Sequence, residues 1–305
     1  MAAPNSPPPL DLPPLPYDPW VETKNTLHLY CQIVGKLRLA LHPKLNHLWH
    51  VTLYVSPRGL TTRAIPHGGE NVEVQLDLIE HRAHVATSRG EARSFALGVP
   101  VAEFYERLFA ALGELGIEAR ILARPYEHPS RIPFPEDREH AAYDRDAVHR
   151  YWRALVGIDG VLKAFASRFL GKQAPVHLFW HSFDLALTRF SGRAAPMDGG
   201  TRADREAYSH EVISFGFWPG DPTTPEPAFY SYAYPEPPGL RDEPLRPEGA
   251  LWADRNGSSL AVLRYDDVRA APDPRATLLE FLQSAYEAGA RRAGWDPAAL
   301  EPTAA

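Results

Sequence analysis

His210 and Glu211 stand side by side in Tyr208-Ser-His-Glu211, at the head of a segment otherwise made of Val212, Ile213, Phe215 and Phe217. An imidazole and a carboxylate inside an apolar run must find partners, and in a cleft they supply a general acid and a general base. Neighbouring strand residues point to opposite faces, so only one of the two enters a given pocket unless a bulge intervenes. A hydrogen-bonded polar group without chemistry is the structural alternative.

His50 is a second imidazole of interest. With Thr52 and Tyr54 it alternates against Trp49, Val51, Leu53 and Val55, while His28, Gln32 and Lys36 recur four apart on the helical segment before it. If those two polar faces meet, His50, Tyr54, Gln32 and Lys36 line a pocket with donors, acceptors and a cation. If they do not, the helical stripe is a solvated side.

Residues 176–190 place His177, His181 and Arg189 on one strand face and Ser182, Asp184 and Thr188 on the other. Asp184 with Arg189 or Arg193 either holds a polar ligand or forms a structural pair. Tyr230, Tyr232 and Tyr234 share one face of a later strand and stack a planar ligand or cover a half-buried sheet. His47, His50, His177, His181 and His210 raise the question of a metal. His47 and His50 face oppositely on a strand, so each strand offers at most one ligand, and no metal set is assigned. Glycine-rich phosphate loops, the Gly-x-Ser-x-Gly elbow and His-Glu-x-x-His are all lacking.

The elements that must position these residues read as α+β. The spacing predicts a helix over 23–42, strands over 47–55 and 72–79, a hairpin of 84–88 and 92–97 around Arg89-Gly90, a helix over 101–115 closed by Gly116, and a strand over 118–122. After a proline-rich connection, 124–143, a helix capped by Asp144 or Asp146 runs to residue 170. Strands follow at 176–190, 208–217, 228–234, 249–254 and 258–263, the last two around Asn256-Gly257, and a helix opens at Asp273-Pro274. The expected units are a disordered proline-rich arm, 1–16, a first half, 17–123, and a second half, 144–300. Each half is helix, antiparallel sheet, helix, and each opening helix is followed by a Trp-His pair, Trp49-His50 or Trp180-His181, which suggests an internal duplication.

The chain has 305 residues, a net charge of -6, 31 prolines and one cysteine, Cys31. One thiol excludes an internal disulfide and fits a reducing cytoplasm. Scattered basic residues argue against nucleic acid, and no apolar run of about 18 residues argues for a membrane span.

The segments Gln32-Ile-Val-Gly-Lys-Leu-Arg-Leu, Asn46-His-Leu-Trp-His, Ser182-Phe-Asp-Leu-Ala, Thr188-Arg-Phe-Ser-Gly-Arg193, Tyr208-Ser-His-Glu211 and Gly216-Phe-Trp-Pro-Gly220 resemble an uncharacterised bacterial family, a domain of unknown function. The resemblance runs over 17–300 and implies a bacterial origin and a full-length unit, but no activity or cofactor. The chain departs from the family pattern at His181, where a small residue is expected.

The expectation is a small-molecule-binding protein with catalysis left open. A small polar or anionic ligand would lie in a polar, aromatic cleft between the halves. His210, Glu211 and His50 are the candidate catalytic groups, and Gln32, Lys36, Tyr54, Asp184, Arg189 and Tyr232 the candidate ligand contacts. A metal-dependent enzyme using His50, His210 and Glu211, and a non-catalytic interaction protein, are the alternatives.

Overall fold

The structure, a computed structural model, describes residues 10–302 except Asn256. It is α+β, with two antiparallel sheets. Helix α1 (Val21–Leu41) is followed by the short strands β1 (Tyr54–Ser56), β2 (Gly59–Thr61) and β3 (Ile65–His67), then β4 (Glu70–Asp77), β5 (Arg82–Thr87), β6 (Ala92–Ala96) and helix α2 (Val101–Glu114). The first sheet runs β1-β2-β4-β5-β6, with β3 also on β4. Val72, Val74 and Leu76 turn toward the helices and Glu73 and Gln75 away, as their alternation requires.

Helix α3 (Arg145–Ala166) opens the second half, capped by the Asp144 carboxylate on the amides of Asp146 and Ala147. Then come β7 (His177–Phe179), β8 (Asp184–Ala194), the short helix α4 (Arg202–Ala207), β9 (His210–Trp218), β10 (Ala228–Tyr234), β11 (Leu251–Arg255), β12 (Ser258–Arg264), α5 (Tyr265–Ala270), α6 (Pro274–Arg292) and α7 (Pro297–Leu300). The second sheet runs β11-β12-β10-β9-β8-β7. Its outer strands are transposed relative to chain order where the first sheet's are not, so strand order does not support the duplication. A single antiparallel bridge joins the sheets, with Leu53 and Leu178 exchanging N–H···O bonds of 2.9 and 2.8 Å.

Three expectations are corrected. The alternation over 47–55 is not one strand: Asn46–Leu48 form a 3-10 turn with His47 and Leu48 at φ +54° and +59°, and strand β1 begins only at Tyr54. Val51, Thr52, Leu53 and Tyr54 are all buried, so no wet face exists for the alternation to report. Residues 176–190 are two strands joined by a tight turn that contains Trp180 and His181, not one. At 118–122 the side chains of Ala119 and Ile121 pack on the core, but the backbone pairs with no strand among the described residues.

Helix α1 is buried on nearly every side, including its polar stripe. The Lys24 amine donates to the Gly220 carbonyl at 3.0 Å. His28 Nε2 lies 2.9 Å from the Trp180 carbonyl and 3.1 Å from that of His181. Gln32 holds both the amide and the carbonyl of Tyr126 at 2.8 Å. The Lys36 amine sits 5.3 Å from the centre of the Trp180 ring, which packs so closely that a Cβ on Gly35 would stand 2.0 Å from it. The stripe is therefore neither solvated nor joined to His50 and Tyr54. It faces the connection between the halves and the β7–β8 turn.

The proline-rich arm is also corrected where it is described. Leu10, Leu12 and Leu15 are buried, Leu10 lies against Gly157 of α3, and the Tyr265 hydroxyl donates to the Pro13 carbonyl at 2.7 Å. Residues 1–9 lie outside the described residues. Three spaced leucines are an apolar stripe that the prolines conceal, because proline gives the segment an extended shape without making it polar. Leu15→Ala should lower unfolding free energy by about 2 kcal/mol or more, read in urea titrations. An unchanged midpoint would show that the burial of Leu15 contributes nothing.

Candidate functional site

Side-chain alternation gives the second sheet two unlike faces. Leu187, Arg189, Ile213 and Phe215 point toward α3 and α6, while Asp184, Thr188, Ser214 and Gly216, with Tyr230 and Tyr232 of β10, share the face away from those helices. Asp184 is the centre of that second face. It is 8% exposed, and its partners are hydroxyls: Ser182 and Tyr230 both donate to its carboxylate. Among the described residues no Lys, Arg or His forms an ion pair with it.

Tyr230 reaches Asp184 because β9 carries a glycine opposite it. A Cβ on Gly216 would stand 2.5 Å from the Tyr230 hydroxyl and 2.6 Å from the Leu185 carbonyl. Tyr232 stacks on Tyr230 with ring centres 6.1 Å apart and planes 14° from parallel. Its hydroxyl shares a 2.9 Å hydrogen bond with that of Tyr208. Thr188 and Ser214 share another of 3.0 Å.

The phenols are held in their protonated form. Burial, followed by the charge of Asp184, raises Tyr230 well above the ordinary phenol range, and burial raises Tyr232. Tyr208 is raised first by Tyr232 itself and then by burial. At the rim, His181 Nδ1 lies 2.9 Å from Glu127 Oε2, and that bond is the first cause of a lowered Glu127 carboxyl. Glu127 and Phe183 have φ of +51° and +61°, where bulky residues are disfavoured. The contorted turn folds the Phe183 ring onto His28, with centres 4.8 Å apart, and leaves Asp184 to start β8 on the tyrosine face.

The sequence pattern that defines a family of unknown function, DUF5996, matches residues 12–302. The chain belongs to that family. No curated protein and no solved structure matches it.

In this DUF5996 chain the expected site residues fall into separate places. Asp184 and Tyr232 come together through Tyr230. Arg189 does not join them: it points to the helix side, 1% exposed, its guanidinium 3.7 Å from the Phe165 ring centre and 4.5 Å from that of Tyr286, donating to the Phe165 carbonyl at 2.7 Å. Gln32 and Lys36 are in the buried stripe of α1. Tyr54 lies beneath Arg63, 3.6 Å from ring centre to guanidinium. His50 is buried and its Nδ1 accepts from the Leu45 amide at 3.2 Å. His210 stands edge-on to His47 at 5.4 Å, and Glu211 points to the opposite face.

His50, Arg189 and His210 thus share no cavity, because strand parity separates Arg189 from His210 and the turn at His47 carries His50 away. The trio His50, His210 and Glu211 is likewise dispersed, and no described group of three or more His, Cys, Asp or Glu is arranged to hold a metal. Glu211 does border an open groove of about 250 Å³ with Tyr234, Pro235 and Trp295. Its carboxylate is already taken by Ser191, Arg193 and Trp295, at 2.9, 2.9 and 3.1 Å.

Ser182, Tyr208, Ser214 and Gly216 are site residues that the sequence reading passed over. Gly216 was the available signal, since a glycine inside an apolar strand marks a close approach.

Two buried histidines give a pH test of the scaffold. His177 is fully buried with neither ring nitrogen hydrogen-bonded, and burial, then Arg38 and Arg63, pull it down to about 3. Burial lowers His128 to about 4. Because the unfolded chain takes up these protons near pH 6.5 and the fold resists them, stability is complete above that pH. It falls as pH drops from about 6.5 toward 3–4, by about 1.4 kcal/mol per unit for each group. His177→Leu should flatten part of that slope in urea titrations between pH 7 and 4. An unchanged slope would mean that His177 protonates freely in the fold.

Proposed function

We propose that the tyrosine face of the second sheet binds a small polar molecule through a protonated amine. One observation carries this reading: Asp184 is an almost buried carboxylate whose partners are neutral hydroxyls and which no cation among the described residues neutralises. An unpaired buried charge is costly, and the two hydroxyls occupy about half of the four lone-pair sites that a carboxylate offers. An ammonium group takes the remainder in a charge-assisted bond. The Tyr230 and Tyr232 rings add the aromatic faces that attract such a cation.

An anionic ligand fits this face less well. Arg189, the cation expected to hold it, is on the other side of the sheet, and the groups at the rim include the carboxylate of Glu127. The face offers recognition by hydrogen bonding and charge, and a binding role is the function it supports.

Thermal-shift and titration calorimetry with paired small amines and carboxylates, ethanolamine against glycolate and tyramine against 4-hydroxyphenylacetate, test the assignment. Amines should raise the melting temperature, carboxylates should not, and Asp184→Asn should weaken amine binding about ten-fold or more, as expected for losing a charged hydrogen bond. Equal responses to both series, or unchanged amine affinity in a folded Asp184→Asn variant, would overturn it.

A further inference from the structure

Lys172, in the loop between α3 and β7, belongs to a second cluster, around Phe190 and His210 farther along the sheet face that carries the tyrosines. Its amine nitrogen lies 2.7 Å from His47 Nε2, 5.2 Å from the centre of the Phe190 ring and 5.5 Å from that of Trp49. His47 Nδ1 lies 3.2 Å from the Ala207 carbonyl, which can only accept, so Nδ1 carries the ring hydrogen and Nε2 turns a lone pair to the lysine. The ring is held there by two successive left-handed residues, His47 and Leu48. Non-glycine residues in that conformation cost about 1–3 kcal/mol each and persist only where surrounding contacts enforce them.

His210 faces His47 edge-on, the Glu206 carboxylate is engaged by Lys44 at 2.6 Å, and among the described residues no carboxylate pairs with Lys172. Desolvation lowers the ammonium of Lys172, and His47 is lowered by burial and then by the lysine's charge. Lys172 is nevertheless exposed as a residue, so a reagent can reach it. An accessible amine against aromatic rings, with a fixed acceptor for its proton, is the arrangement of a nucleophilic lysine.

We propose that Lys172 is a nucleophilic amine that condenses with a small, apolar-bodied aldehyde or ketone, with His47 as its base. The Lys172 ammonium passes one proton to His47 Nε2. The freed nitrogen lone pair forms a bond to the carbonyl carbon while the carbonyl π pair moves to oxygen, and a proton passes from nitrogen to that oxygen to give the carbinolamine. The His47 imidazolium then returns its proton to the hydroxyl, water leaves, and the nitrogen lone pair closes the C=N bond of the iminium. One ammonium and one carbonyl thus yield one iminium and one water, and His47 ends neutral.

The chain has only five lysines, Lys24, Lys36, Lys44, Lys163 and Lys172, which makes the test direct. The intact protein is treated with limiting benzaldehyde and cyanoborohydride at neutral pH, and benzylation of each lysine is followed by peptide mass spectrometry. Lys172 should be modified several-fold faster than Lys44 and Lys163, because a desolvated ammonium gives up its proton more readily. Its rate should also reach half-maximum at a lower pH than theirs. His47→Gln should remove both differences while the melting curve shows the variant folded. Should that variant fail to fold, the comparison among lysines of the parent protein decides alone. Modification of Lys172 at the rate of Lys44, or with the same pH midpoint, would overturn the proposal.

Discussion

A helix that carries a lysine, a histidine, a glutamine and a second lysine at four-residue spacing into the middle of a protein constrains everything packed around it. Each of these groups must find a partner, because an orphaned buried polar atom costs about 1–3 kcal/mol. In this chain three of the four take backbone carbonyls of surrounding loops: Gly220 for Lys24, Trp180 and His181 for His28, and Tyr126 for Gln32. Lys36 lies over the Trp180 ring. Segments with no regular structure are thereby fixed as firmly as strands. The β7–β8 turn is one of them, and Asp184 sits where it does because that turn is clasped to α1.

The second sheet deals with isolated charge of both signs by two different means. On its helix side Arg189 has rings in place of a carboxylate, with Phe165, Phe169 and Tyr286 around the guanidinium, and burial draws its pKa down to about 10. A delocalised, weakly hydrated cation tolerates such surroundings. On the other side Asp184 has hydroxyls. The sheet lies between them, so the two charges that sequence spacing invites one to pair do not meet. Even positions along β8 serve the tyrosine face, and odd positions serve the helices.

Much of this was legible in the residues. The helices from Val21, Val101, Arg145 and Pro274 follow from apolar periodicity and from caps such as Asp144 and Asp273, and β4, β5, β6, β9 and β10 follow from alternation and turn residues. Alternation failed where it had no hydrogen-bonding neighbour, as at 118–122, and where every side chain is buried, as at 51–54. The polar stripe of α1 was visible, but its burial was not, because helical periodicity cannot say whether a loop far along the chain will close over a face. The tyrosine row was likewise visible. Its link to Asp184 depends on register between β8, β9 and β10 and on Gly216, which only the folded sheet supplies.

The bridge between Leu53 and Leu178 has a consequence for solubility. Strands β1 and β7 are three residues each, and in isolation each would close its sheet with unpaired amides and carbonyls, a template for another chain to add to. The exchange between Leu53, just ahead of β1, and Leu178 of β7 ties the two inner margins together at one point. Trp152 strengthens the seam from α3, its indole donating to the Ser56 carbonyl at 3.2 Å. Separating the halves at the connection would therefore uncover a sticky border on each fragment. The two sheets are in this sense chaperones of one another, each shielding the margin through which the other would aggregate.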